Sequence, residues 1–236
     1  FSPEPNQFGT ATITVTVEDA GGLTSEQSFV LTVNPLNDPP SLAQPGDELI
    51  DEDADPQQVS LTGISAGPNE TQNLRLIATS SNTLLIIDPV ITFSGPDDPA
   101  TLTYVPNQDQ FGSATITVMI EDGGDDNDLD TDADNLTSEQ TFLVTVNPVN
   151  DVPTIDPIDD ETIEDHDPDQ VVSLTGITAG GGEEQPISST ATSSDENQIP
   201  PPVLEYTDGV PAGLLRYTPA TDLVGTASIT TVLEDG

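Results

Sequence analysis

The chain has 236 residues, of which 43 are Asp or Glu against only two basic residues, Arg75 and Arg216, for a formal charge of −41. Such a surface repels nucleic acid and anionic lipid, both recognised mainly through Lys and Arg, so nucleic-acid binding is excluded. Cysteine is absent, which rules out a disulfide framework, a thiol nucleophile and a Cys-ligated zinc site, and no apolar run approaches the ~20 residues of a membrane span.

High charge with modest hydrophobicity is the composition of disordered chains. The patterning argues otherwise: apolar residues alternate with Thr and Ser over six to eight positions, several times, between turn-forming clusters. The alternation is itself repeated. Phe111-Gly112-Ser113-Ala114-Thr115-Ile116 returns as Val224-Gly225-Thr226-Ala227-Ser228-Ile229, a step of 113 residues from 111 to 224. The same step carries Asn37-Asp38 onto Asn150-Asp151 and Ser60-Leu61-Thr62-Gly63-Ile64 onto Ser173-Leu174-Thr175-Gly176-Ile177.

An earlier copy, Phe8-Gly9-Thr10-Ala11-Thr12-Ile13, lies only 103 residues before Phe111, whereas Leu23-Thr24-Ser25-Glu26-Gln27 and Leu136-Thr137-Ser138-Glu139-Gln140 are again 113 apart. Ten extra residues therefore sit between Asp122 and Leu136. On this frame, residues 1–37 are the last strands of a preceding domain, 38–150 form a complete domain, and 151–236 form a third that lacks its final strand. The chain reads as a window on a longer polymer, with completion of neighbouring copies by strand addition as the alternative.

In the complete domain the expected strands, in chain order, are A near 42–50, B at 59–64, C at 74–79, D near 84–87, E at 102–105, F at 114–120 and G at 141–146. Seven short strands separated by Pro, Gly, Asn and Asp suit an all-β, Greek-key sandwich. Ala114, Ile116, Val118 and Ile120 fall on one face of F, and Phe142, Val144 and Val146 on one face of G; these faces form the expected core.

The acidic residues gather at the expected domain ends. The linkers 34–40 and 147–153 carry Pro for stiffness and Asn37, Asp38, Asn150 and Asp151 as oxygen donors. At the junction below the complete domain, the A–B loop adds Glu52 and Asp53, the E–F loop Asp109, and the next domain Glu183 and Asp235. The junction above it would repeat this with Glu70, Glu121 and Asp122. Calcium takes six to eight oxygens in irregular geometry, which such junctions supply. The inserted loop places Asp126, Asp128, Asp130, Asp132 and Asp134 at alternate positions, a second candidate calcium site, although no Gly stands at the sixth place and no Glu at the twelfth, so an EF-hand is not supported. His166, in an acidic loop, reads as a solvent-exposed side chain. The sequons Asn69-Glu70-Thr71 and Asn135-Leu136-Thr137 are too short a pattern to decide anything. One His, no Cys and no Gly-x-Ser-x-Gly or phosphate-cradling loop leave catalysis without machinery. The expectation is a protein that is not an enzyme.

The linker motif at 146–153, the acidic run at 50–54, the stretch 173–185 and the motif at 111–118 together resemble bacterial cadherin-like and Ig-like tandem repeats of giant secreted or surface proteins, over the whole chain. The resemblance implies junctional Ca2+, an extracellular, secreted or cell-surface location, and a structural or adhesive fibre whose partners are other copies of the repeat, head to tail or in lateral bundles. The alternative is a calcium-assisted carbohydrate-binding module of a secreted polysaccharide-degrading protein, with cell-surface glycans as partners. Asn150-Asp151 matches the Asn-Asp of the cadherin linker and Glu52 the acidic residue that reaches it. The second linker Asn is replaced by Val152, or by Pro39 in the earlier copy.

Overall fold

The computed structural model describes residues 2–95, 99–130, 133–164 and 167–236. Asp132 and His166 lie outside the described residues. All fourteen elements among them are strands, divided between two compact units: residues 1–107 with 111–147, and residues 108–110 with 148–236.

The first unit opens with a hairpin of β1 (Gly9–Glu18) and β2 (Thr24–Val33), antiparallel with Gly9 opposite Val33 and Glu18 opposite Thr24. Its turn is held by Asp19, whose Oδ1 accepts from the Gly21 and Leu23 amides, both at 2.9 Å. The remaining strands are β3 (Glu48–Asp51), β4 (Gln57–Leu61), β5 (Leu74–Ser80), β6 (Val90–Thr92), β7 (Ala100–Tyr104), β8 (Gly112–Asp122) and β9 (Thr137–Asn147). They make a four-stranded sheet in the order β3-β9-β8-β5 and a three-stranded sheet in the order β4-β7-β6. Leu61 and Leu102 of the smaller sheet pack with Ile116, Val118, Ile120 and Val144 of the larger one, all fully buried. Each such side chain contributes roughly 1.5–3 kcal/mol by leaving water. The result is a seven-stranded, Ig-like sandwich, and the faces of β8 and β9 in its core are those that period-two alternation selects.

Two elements differ from the sequence expectation. Strand A is interrupted at Pro45-Gly46: Ser41 makes an isolated bridge to Ser65, and only β3 joins a sheet, parallel to β9. Pro45 lacks the amide that a continuous ladder needs. The expected strand at 84–87 is a turn in which the Leu85 and Ile86 amides donate to Asn82 O at 3.1 and 2.9 Å. Its apolar run plugs the core, with Leu85 and Ile86 both buried, and the strand paired with β7 is β6, a few residues later.

The second unit contains β10 (Gln170–Thr175), β11 (Ser188–Ser193), β12 (Val203–Tyr206), β13 (Ala212–Tyr217) and β14 (Ile229–Glu234), arranged as a sheet β10-β13-β12 and a pair β11-β14. Leu174, Ile177 and Leu215 form its core, with Leu204 and Tyr206 packed against them. Tyr217 donates its hydroxyl to Glu161 Oε2 at 2.5 Å.

Candidate metal centre

Within the first unit, β8 ends on two consecutive carboxylates that the sandwich buries, Glu121 and Asp122. Period two would send one of them inward and one outward, but the loop that follows folds back over both. Glu121 is compensated by Arg75, its cross-strand neighbour on β5. Arg75 Nε and Nη2 donate to Glu121 Oε2 at 2.9 and 2.6 Å, and Asn135 Nδ2 donates to Oε1 at 3.3 Å.

Asp122 makes no ion pair among the described residues and is 0% exposed. Its Oδ1 accepts from the Gly124 amide, the Leu136 amide and Asn37 Nδ2, each at 3.0 Å. The first two bonds repeat those of Asp19 in the hairpin, so the turn-capping role belongs to the repeat and survives the insertion. The third ties the strand end to the linker. Asp122 Oδ2, also buried, has no hydrogen-bond partner among the described residues. A buried acceptor left unmatched costs about 1–3 kcal/mol, and more when charged.

The linker meets the same carboxylate through its other oxygen, Oδ1. Asn37 is fixed at both ends of its amide: Oδ1 accepts from Gln72 Nε2 at 2.7 Å, while Nδ2 donates to Asp122 Oδ1 and to the Asp134 carbonyl, both at 3.0 Å. The Asp38 amide donates to both oxygens of Glu70, at 3.2 and 3.3 Å. Gly67 makes room for that carboxylate, since a Cβ there would come within 2.2 Å of Glu70 Oε2. Burial holds the Glu70 carboxyl above its ordinary value; the Asp38 amide and Gln72 oppose this, and the charges of Asp38 and Asp122 add to it. A cavity of about 190 Å3 lined by Phe8, Leu36, Asp38, Pro68 and Glu70, among others, opens beside the pair. The structure thus brings Asn37, Asp38, Glu70 and Asp122 together, along with Gln72, whose Oε1 is buried without a partner.

The inserted loop behaves in two ways. Asp126, Asp128 and Asp130 are exposed. Asp126 Oδ1 accepts from the Asp128 amide at 3.0 Å and Asp128 Oδ1 from the Asp130 amide at 2.9 Å, successive Asx turns that direct these carboxylates along their own backbone. Asp134 instead turns inward: Oδ2 accepts from the Asp125 amide at 2.8 Å, and Oδ1 is buried without a partner among the described residues.

The second unit repeats the linker geometry. Asn150 Nδ2 donates to Asp235 Oδ1 at 3.2 Å, the Asp151 amide donates to Glu183 Oε2 at 3.1 Å, and Gln185 Nε2 reaches the same Glu183 oxygen at 2.8 Å. Asp235 Oδ2 is buried without a partner. Asp109 groups with this unit and adopts a left-handed backbone, φ 54°. In the first unit Glu52 is buried and its amide donates to Asn147 O at 2.9 Å, while the adjoining Asp53 is exposed at φ 60°.

Two members of the first constellation, Gln72 and Asn135, are missing from the sequence-derived set. Gln72 was detectable, because Glu-x-Gln recurs at 70–72 and 183–185. Asn135 was not, because nothing in its local sequence separates it from a solvated loop.

The donors available are carboxylate and amide oxygens, the hard ligands that suit Ca2+ or Mg2+ and not a thiolate- or imidazole-seeking metal. No protein-family model matches the chain, and no curated protein sequence does. Among solved structures it is similar to domains 4–9 of the surface layer protein SbsC, with 17% identity and TM-score 0.33, covering 97% of this chain and 35% of that one. Extracellular cadherin domains 3–6 of protocadherin gamma B2 match with 15% identity and TM-score 0.38, over 97% of this chain and 56% of that one. The titin domains z1z2, solved in complex with telethonin, match with 12% identity and TM-score 0.32, over 84% of this chain and 95% of that one. The chain thus spans about a third and just over half of the first two.

Proposed function

We propose that this chain is a stretch of an extracellular structural or adhesive fibre, built of tandem Ig-like domains whose linkers are stiffened by calcium, and that it performs no catalysis. The observation that carries the reading is Asp122, a fully buried carboxylate with one oxygen tied to the linker residue Asn37 and the other without a partner among the described residues. Its counterpart Asp235 is half-buried, bonds Asn150 through Oδ1 and has Oδ2 buried without a partner among the described residues. Asn37, Asp38, Glu70 and Asp122 would hold one ion, and Asn150, Asp151, Glu183 and Asp235 another; Glu52, Asp53 and Asp109 are the further donors proposed for the lower junction.

A bound divalent cation supplies positive charge to a chain that carries −41 and almost none of its own. The protein's part is to present the oxygens: proline fixes the linker backbone, the Asp122 and Asp235 carboxylates anchor its asparagines, and Gly67 leaves space for Glu70. Binding to the folded state alone adds RT ln(1 + [Ca2+]/Kd) to stability, about 2.7 kcal/mol at a hundredfold excess over Kd.

The test is small-angle scattering and thermal unfolding with calcium and with a chelator, at fixed ionic strength. A longer maximum dimension and a higher Tm with calcium are expected. Equal values under both conditions would sink the calcium reading.

A further inference from the structure

The ten-residue insertion between β8 and β9 can be a separate acidic loop or a part of the linker site, and the hydrogen bonds decide between them. Asn37 Nδ2 donates at 3.0 Å both to Asp122 Oδ1 and to the Asp134 carbonyl, so a single amide group from the linker spans the end of β8 and the end of the insertion. Asp122, Asp134 and the adjoining Asn135 each carry a side-chain oxygen that is buried without a partner among the described residues: Asp122 Oδ2, Asp134 Oδ1 and Asn135 Oδ1. Asp122 is 0% exposed, so its carboxylate is shut off from bulk solvent. The loop is shaped to bring Asp134 in. Gly124 adopts φ 59°, and a Cβ on it would lie 2.6 Å from the Asp134 carboxyl carbon, so only glycine leaves room for that carboxylate. Asn135 is oriented by its bond to Glu121, which Arg75 holds in turn.

We propose that the insertion is a ligand arm of the linker site: Asp134 and Asn135 close over the same divalent cation that Asp122 binds, and the loop does not hold an ion of its own. This rests on the calcium reading above and deepens it. Two ligands are added to those the repeat already supplies, and one of them is a half-buried carboxylate with one oxygen out of solvent. The linker ahead of this domain is therefore held more tightly than one whose F–G turn has the short form Asp19-Ala20-Gly21-Gly22-Leu23. The exposed Asp126, Asp128 and Asp130 form the outer, turn-stabilised part of the arm and contribute field without contact.

The test uses the whole chain and calcium alone as the probe, following the side-chain amide signals of Asn37 and Asn150 by NMR during titration. Three forms are compared with the parent: Asp134→Asn, Asp122→Asn, and a loop exchange in which residues 123–135 are replaced by the Ala-Gly-Gly of positions 20–22. The exchange keeps the turn that Asp19 caps in the hairpin, and dispersed sheet signals verify that it folds. Asp134→Asn and the exchange are expected to weaken the Asn37 response roughly 10–100-fold, the range for removing a supporting ligand, with Asn150 unchanged. An unchanged Asn37 midpoint in both forms overturns the arm while leaving the linker site standing. Saturable insertion signals that persist in Asp122→Asn overturn it in favour of a separate site. No response at either asparagine overturns the arm and the calcium reading together.

Discussion

Asn37 and Asp122 are 85 residues apart in the chain and 3.0 Å apart in the structure, joined by an amide-to-carboxylate hydrogen bond whose second carboxylate oxygen is buried without a partner. The bond fastens a proline-bound linker to the end of a core strand. Asn150 and Asp235 reproduce it at 3.2 Å in the other unit. In each pair one carboxylate oxygen is buried without a partner among the described residues, which is hard to reconcile with solvated turn residues, whose oxygens would face water.

A first prediction concerns those carboxylates. Asp122→Asn removes a fully buried negative charge and Asp235→Asn a half-buried one, and both keep the hydrogen-bonding shape. Without calcium each variant is expected to be as stable as the parent or more so, because an uncompensated buried charge is lost. With calcium each loses most of its own unit's gain in Tm. The two pairs share no hydrogen-bond partner, so their effects should add. Thermal unfolding of both single variants and the double variant, with calcium and with chelator, checks this.

The glycines beneath the loops give a second. Gly67 has φ 145° and an added Cβ would meet Glu70 Oε2 at 2.2 Å; Gly180 has φ 102° and a Cβ would meet the Val152 carbonyl at 2.7 Å and Asp151 Cβ at 2.8 Å. Gly67→Ala or Gly180→Ala should cost about 1–3 kcal/mol through backbone strain and the displaced carboxylate. Denaturant unfolding measures the cost. Calcium affinity of the same unit should fall with it.

Much of this was legible in the sequence because repetition compares the chain with itself. The 113-residue step places Glu70 with Glu183 and Asp122 with Asp235, and alternation in β8 and β9 selects the buried Ile116, Val118 and Val144. What was not legible depends on three-dimensional closure. Alternating aspartates at 126, 128 and 130 read as ion ligands along the chain, yet each short side chain can bond the amide two residues ahead, and that local turn wins for Asp126 and Asp128. Asp134 has the same sequence signature and points inward only because Gly124 opens a space across the loop. The run at 84–87 has the hydrophobicity of a strand, yet its Leu85 and Ile86 amides close a turn on the Asn82 backbone carbonyl.

A third prediction concerns Arg75, one of the two basic residues of the chain. It faces Glu121 across β5 and β8, with the arginine side chain 40% exposed and the glutamate side chain 9%. Arg75→Ala should cost about 1–3 kcal/mol, above the ~0–1 of an exposed pair and below the ~3–5 of a fully buried one. The loss should shrink as salt rises. Arg75→Lys should recover part of it, since an ammonium cannot reproduce the forked contact of Nε and Nη2 with one carboxylate oxygen. Urea unfolding at low and high sodium chloride separates these outcomes.

The last prediction uses a pair of tyrosines that the repeat places in register. Tyr104 on β7 and Tyr217 on β13 are 113 residues apart, as are Glu48 and Glu161. Burial pushes both phenols up to about 12; Glu48 adds to this for Tyr104, and the bond to Glu161 adds to it for Tyr217. A folded-state value above the ordinary 10 means that the folded chain retains a proton the unfolded chain releases. The associated stability is present below about pH 10 and lost as pH rises towards 12. The two hydroxyls differ at neutral pH, however. Tyr217 donates to Glu161 at 2.5 Å, whereas Tyr104 Oη is buried without a partner among the described residues. Tyr217→Phe should therefore cost about 1.5–3 kcal/mol at pH 7, the range for a hydrogen bond to a charged group. Tyr104→Phe should be neutral or stabilising. Both substitutions should flatten the loss of stability between pH 10 and 12, and unfolding curves taken at pH 7 and through the alkaline range test the contrast directly.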